Sequence, residues 1–427
     1  MKMSWMRGLA GWAVLLLVSL AGCGGSGDSD DPATLRFVNA STGYSLLDVY
    51  IDDTLQLSGL TAGSAGDYMT LSAGTHATTL TRNASTTALA SQDRTLASGG
   101  SYTVVAYGWE GALKTYQLSD DESAPATGKA KFRVLNTAPD AGSLDVYVTL
   151  ATDSLDDVSP VASAVAGASI SAYSSITQGT YRIRVTAAGD KTDLRFDLAG
   201  VGLADQQITT LILTPGTGGV LVHGVLLDQK GAATSYTNDK ARLRLMASVA
   251  DNATVAATAG STALATGARS PLIGSYTLVP AGLLPLDLQV NGTAVAAGSL
   301  TAAGGADLTL MVHGSAAAPT YAVLADDNRL PASGSTKLRL VNGVSGLSGG
   351  LTLVEDYAAL ATDIGYPSAS SYSTVSSSSS SLLQVTSPSA STALFSASEV
   401  VLQSRGVYTV FMMGGAGAPV GVLRRER

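Results

Sequence analysis

Hydrophobic and polar residues follow one another along this chain in short runs, and no stretch at helical spacing holds an amphipathic face. Apolar and β-branched runs are cut by clusters of Gly, Pro, Asn, Asp and Ser, which predicts short strands joined by tight turns. The pattern repeats. One strand-like signature occurs four times: Leu35-Arg36-Phe37-Val38-Asn39, Phe132-Arg133-Val134-Leu135-Asn136, Leu243-Arg244-Leu245-Met246-Ala247 and Leu338-Arg339-Leu340-Val341-Asn342. Its arginines lie 97, 111 and 95 residues apart. Each repeat closes with a strand, a glycine-rich turn and a second strand, over residues 102–118, 209–227, 308–324 and 408–423. Midway through each stands a tyrosine ahead of an apolar run: Tyr68, Tyr173, Tyr276 and Tyr372. Three markers in one fixed order predict four copies of one unit.

Each unit holds six to eight short β-rich runs. The expected fold is all-β, with four tandem immunoglobulin-like β-sandwich repeats after a signal peptide and a flexible tether. The expected boundaries are 1–22 for the signal, 23–33 for the tether, and 34–120, 130–228, 240–326 and 336–427 for the repeats. Polar stretches at 119–129, 228–240 and 326–335, rich in Asp, Ser, Gly and Pro, read as linkers. Six serines at 376–381 read as a loosened loop. Residues 208–227 are apolar enough to suggest a membrane helix, but Pro215, Gly216, Gly218 and Gly219 break their centre and predict a hairpin. The chain also lacks the ten-residue alternating segments and aromatic girdles of a transmembrane barrel.

The first residues follow another logic. Lys2 and Arg7 precede an apolar stretch at 9–20, the pattern of a secretory signal and too short for a comfortable permanent span. Leu20-Ala21-Gly22-Cys23 follows and resembles the lipobox of bacterial lipoproteins. That resemblance implies cleavage before Cys23 and its lipidation, which anchors the chain to a membrane; palmitate is a usual acyl group in that class. Cys23 is the only cysteine, so no internal disulfide can form, and lipidation gives the lone thiol a role. Gly24, where an aspartate would imply inner-membrane retention, points to an outer-membrane lipoprotein of the cell envelope. Cleavage removes Lys2 and Arg7 and takes the net charge from −8 to −10. With no basic cluster outside Arg424, Arg425 and Arg427, that balance argues against nucleic acid.

Leu47-Asp48-Val49-Tyr50 and Leu144-Asp145-Val146-Tyr147 sit shortly after the first strand of repeats one and two. With Asn136-Thr137-Ala138-Pro139-Asp140 and Tyr102-Thr103-Val104-Val105-Ala106, they resemble the bacterial domain of unknown function 4397 over about residues 34–228. The resemblance implies small β-sandwich domains in exported proteins, often in tandem, with no activity attached. Repeats three and four depart from it: Thr254-Val255-Ala256 and Thr352-Leu353-Val354 replace the Asp-Val-Tyr triplet.

Catalytic sets are sparse. Gly346-Leu347-Ser348-Gly349-Gly350 fits G-x-S-x-G, yet it lies in a loop rather than on a strand-to-helix elbow, and no histidine follows it. His76, His223 and His313 fall in three repeats at non-equivalent positions, without metal-ligand spacing. The recurrent tyrosines read as packing residues, and Asp48 and Asp145 as local hydrogen-bond acceptors. Carboxylates at two repeat junctions, Asp120, Asp121 and Glu122, then Asp326 and Asp327 beside Asn328, are calcium candidates, but their spacing matches no calcium loop and favours a solvated acidic linker. The expectation is a non-enzymatic, lipid-anchored protein without cofactor that binds a protein or glycan; the alternatives are a periplasmic structural spacer or assembly factor and, third, an unrecognised enzyme.

Overall fold

A computed structural model describes residues 31–427. The expected signal peptide, Cys23 and the part of the expected tether before Asp31 lie outside the described residues. From there the chain is built of strands, with one 3-10 turn at Pro139–Ala141.

Repeat one sets the plan. Its strands are β1 (Ala33–Ser41), β2 (Leu46–Ile51), β3 (Thr54–Thr61), β4 (Met69–Leu71), β5 (Gly74–Arg82), β6 (Ala88–Leu96), β7 (Ser101–Gly108) and β8 (Lys114–Ser119). They form two sheets, ordered β4-β1-β7-β8 and β3-β2-β5-β6. β1 runs parallel to β7, with Leu35 opposite Tyr102 and Val38 opposite Val105. The other neighbours in the two sheets pair antiparallel. The same parallel pair recurs in each later repeat, always between the signature strand and the first strand of the closing hairpin. Each sandwich encloses its own apolar core, in repeat one around Leu35, Phe37, Leu47, Val49, Leu80 and Val104.

The Asp-Val-Tyr motif owes its aspartate to this plan. Asp48 accepts hydrogen bonds from Gly59 N at 2.7 Å and Ala84 N at 2.9 Å, and from the Ser58 and Asn83 side chains. Gly59 and Ala84 both have positive φ, at a bulge in β3 and at the β5–β6 turn. Asp145 likewise holds Ala164 N and Gly189 N, again two positive-φ positions. The carboxylate brackets two strained points flanking its own strand.

The signature strand is buried on both faces, which explains its nearly unbroken apolar run. Leu35 and Phe37 point into their own sandwich. Val38 and Ala40, with Val105 and Leu118, meet Leu135, Ile212, Val225 and Leu227 of repeat two in a further apolar core. Repeats three and four repeat this contact through Met246, Met311, Val341, Phe411 and Met413. The four sandwiches therefore associate as two side-by-side pairs.

Two of the polar stretches differ from their expected form. Residues 233–236 are a strand, Ala233–Tyr236, added to the edge of the Val222–Asp228 strand. It is the return path: repeat three starts at the other end of repeat two, so the linker must travel back along the sheet. The serine run is not a loosened loop either. Ser373–Ser376 pairs with the signature strand of repeat four and Ser378–Thr386 lies in its outer sheet. Alternation decides this: Ser381, Leu383 and Val385 turn inward, while Leu382 and Gln384 between them are only partly buried.

Candidate functional site at the free end of the stack

One cluster recurs in all four repeats, built by the signature arginine, the midway tyrosine and a threonine of the closing hairpin. Arg36, Arg133, Arg244 and Arg339 each donate Nε to Thr103, Thr210, Thr309 and Thr409, at 2.9, 2.9, 2.8 and 3.4 Å. Each guanidinium also lies over its repeat's tyrosine, Tyr68, Tyr173, Tyr276 or Tyr372, at 4.3–4.9 Å from the ring centroid. The tyrosines pack beneath these guanidiniums and not in the apolar cores.

Two of the acidic junction residues, Asp120 and Asp326, complete this cluster in repeats one and three, and for them the solvated-linker reading is corrected. Asp120 and Asp326 are buried, at 2% and 4% exposure. Asp120 Oδ2 accepts from Tyr68 Oη at 2.7 Å and Thr103 Oγ1 at 2.5 Å. Asp326 Oδ2 accepts from Tyr276 Oη and Thr309 Oγ1 at 2.5 and 2.6 Å, and Asp326 pairs with both Arg244 and Arg339. Arg244 reaches across the pair to Glu426 at 2.7 Å, so each arginine meets an acid of the other repeat. Asp121 pairs with Lys230, Glu122 with Lys131, and Asp327 with Arg329 and Lys337. Burial alone would raise the Asp327 carboxyl, but the Arg329 bond and the Lys337 charge outweigh it and hold it at about 2. The calcium candidates thus meet cationic and hydroxyl donors, and no group of three metal-ligating side chains occurs among the described residues.

The two pairs stack end on end. Gly216 and Gly218–Gly219, in the closing turn of repeat two, lie against Gly305, Asp307 and Arg329; a Cβ on any of them would stand 2.4–2.9 Å from those atoms. Gly218 N donates to Gly305 O at 2.9 Å and Gly218 O accepts from Asn328 N at 3.0 Å. Asp140 ties the stack together. Its carboxylate accepts from Trp109 Nε1 of repeat one at 2.9 Å and from Leu330 N at 3.0 Å, and its carbonyl accepts from Arg427 at 2.6 Å. Arg329 lies over the Trp109 ring at 4.6 Å. None of these contacts is visible in the sequence, where the glycines read only as a turn.

Asp31 belongs to the opposite end of repeat one, where its carbonyl accepts from Gly99 N at 3.0 Å. The far end of the second pair therefore points away from it. A cleft of about 320 Å³ opens there between repeats three and four, floored by Gly414 and Gly415 and walled by Asp251, Asn252, Pro271 and Val420. Asp251 and Asn252 are exposed, and both have positive φ. The G-x-S-x-G loop lies at this end too, with Ser348 exposed.

A second arrangement escaped the sequence. His76 Nδ1 stands 2.7 Å from Asp52 Oδ2, and His76 Nε2 stands 3.5 Å from Ser72 Oγ, an Asp-His-Ser line. Nε2, however, bonds the Ser72 carbonyl oxygen at 3.0 Å, so both ring nitrogens donate. The Asp52 bond raises the His76 pKa, and with Nε2 held on the Ser72 carbonyl the ring braces two turns and does not serve as a base for Ser72. His223 Nδ1 accepts from Asn238 N, and His313 Nδ1 lies 2.6 Å from Tyr366 Oη across the second pair. Burial lowers the His313 pKa to about 4.

The family model for a domain of unknown function, DUF4397, matches residues 33–147 and 241–347, slightly over half of the chain. Both spans begin with an odd-numbered repeat, so repeat three matches despite its altered triplet. No curated protein matches the chain. Among solved structures, the Bacillus anthracis TIE protein is similar at 8% identity over 90% of this chain and 68% of that one, with a TM-score of 0.16, too low to bear on fold or function.

Proposed function

The chain belongs to the DUF4397 family of domains of unknown function, and from its architecture we propose that it is a non-enzymatic, lipid-anchored protein of the cell envelope that binds a protein or glycan at the free end of its stack. The observation that carries this reading is the opposition of the two ends. The segment leading from Cys23 enters repeat one at Asp31, while the cleft of repeats three and four lies beyond the Asp140 junction. Several acyl chains hold a protein on a bilayer where one alone does not. A locked stack would then carry the cleft away from that bilayer without the ordering cost of a swinging array. The outer-membrane assignment rests on Gly24 after the lipidated cysteine. The non-enzymatic reading is supported by the roles found for the histidines and by the exposed loop position of Ser348.

A C-terminal epitope is labelled on intact and on permeabilised cells, with Cys23→Ala as the anchoring control. Labelling of intact cells, lost from the membrane fraction in the variant, is the expected result and directs ligand screens to host, matrix or glycan molecules. Labelling only after permeabilisation favours the alternative, a periplasmic spacer or assembly factor. Retention of Cys23→Ala on membranes overturns the anchor.

A further inference from the structure

The return strand of repeat two shows how a strand adds to the edge of a closing hairpin. In repeat two, Ala233–Tyr236 lies antiparallel on Val222–Asp228, with Gly224 opposite Tyr236 and Leu227 opposite Ala233. Ala233 packs on the apolar core that holds Val225 and Leu227, both 2% exposed. Just beyond, Ser235 and Thr237 line the narrower cleft between repeats one and two, of about 150 Å³.

The closing hairpins of repeats two and four correspond residue by residue. Thr210 stands opposite Leu227 and Thr409 opposite Arg424, which places Val422 where Val225 stands. Among the described residues no strand pairs with the outer edge of Val420–Arg425. Val420 and Val422 are accordingly 39% and 37% exposed. Leu272, 42% exposed, lies between Pro271 on the cleft wall and Ile273, whose carbonyl accepts from Arg424. Ile273 in turn packs on the Met246–Phe411 core, so this apolar strip continues an interface already formed. An edge with unpaired backbone donors and acceptors, flanked by such a strip, is a template for an added strand.

We infer that the Val420–Arg425 edge, together with the adjoining cleft, takes an extended polypeptide segment of a partner protein. The segment adds antiparallel in the register of the return strand, with small and hydroxyl-bearing residues like Ala233–Tyr236. This rests on the free end being the binding end and names its partner as a peptide strand rather than a glycan. Main-chain bonds supply the affinity; Val422 and the cleft, which share Val420 as a border, select small side chains.

The test uses the full chain and two probes: a labelled peptide of residues 230–238 and a nonapeptide library biased to Ala, Ser, Thr and Val. Binding is read by anisotropy and by amide exchange. Expected are saturable binding, slowed exchange at Gly421–Arg424, and at least ten-fold weaker binding in Val422→Lys with unchanged melting. Val323→Lys, on the edge strand of repeat three, leaves binding unaltered. Failure of both probes to slow exchange at Gly421–Arg424 overturns the inference. A glycan that binds the cleft while both peptides fail would overturn it and leave the proposed binding end standing.

Discussion

At the scale of single residues, the junction between repeats three and four is a buried set of two arginines and two acids held by hydroxyl donors. Removing one acid from such a set strands a buried guanidinium, which costs about 3–5 kcal/mol. Asp326→Ala should therefore destabilise the second pair by about that amount in denaturant unfolding, and Asp121→Ala, on an exposed pair, by under about 1 kcal/mol. His76 and His313 should titrate in opposite directions. His76 has a raised pKa, so its contribution is complete below 6.5 and is lost as pH rises through its folded value. His313 sits near 4, so its contribution is complete above 6.5 and is lost as pH falls from 6.5 toward 4. Ring-proton titration by NMR checks both, and His313→Gln should flatten the acid limb of the melting curve. The arginine and tyrosine of each cluster were legible as repeated letters. Their acid partners were not, because Glu426 meets an arginine 182 positions away and nothing local marks the pair.

At the scale of elements, what the sequence showed best was the closing hairpin, readable as two apolar runs around a glycine-rich turn. The signature strand was recognised by recurrence, but its second buried face was not, since an apolar residue facing a neighbouring sandwich looks the same as one facing its own core. Phe411 is such a residue: fully buried, and on the partner side. Phe411→Ala should cost about 3–5 kcal/mol and expose the joint between repeats three and four to protease before either core opens. The serine run misled because low complexity was weighed above the inward alternation of Ser381, Leu383 and Val385 at its end. The return strand was missed because its sequence, Ala-Thr-Ser-Tyr, is as polar as any linker, and only the distance it must cover makes it a strand.

At the scale of the whole molecule, Asp140 joins what the pairs leave separate. Asp140→Ala strips the partners from Trp109 Nε1 and Leu330 N, a loss of about 1–3 kcal/mol. Trp109 is the single tryptophan among the described residues, so its fluorescence reports this joint directly. The variant should red-shift that emission and enlarge the scattering radius while each pair keeps its own melting transition. Pairing also has a consequence for how such chains lengthen. A lone sandwich would leave the outward face of its signature sheet, Val38 and Ala40 or Val341 and its neighbour Phe411, bare to water. Duplication of a single unit is therefore penalised, whereas duplication of a couplet together with its returning segment inherits a finished contact at once. Descendants and ancestors of this gene should differ by even numbers of units, with an intervening Ala233–Tyr236-like strand wherever one couplet follows another.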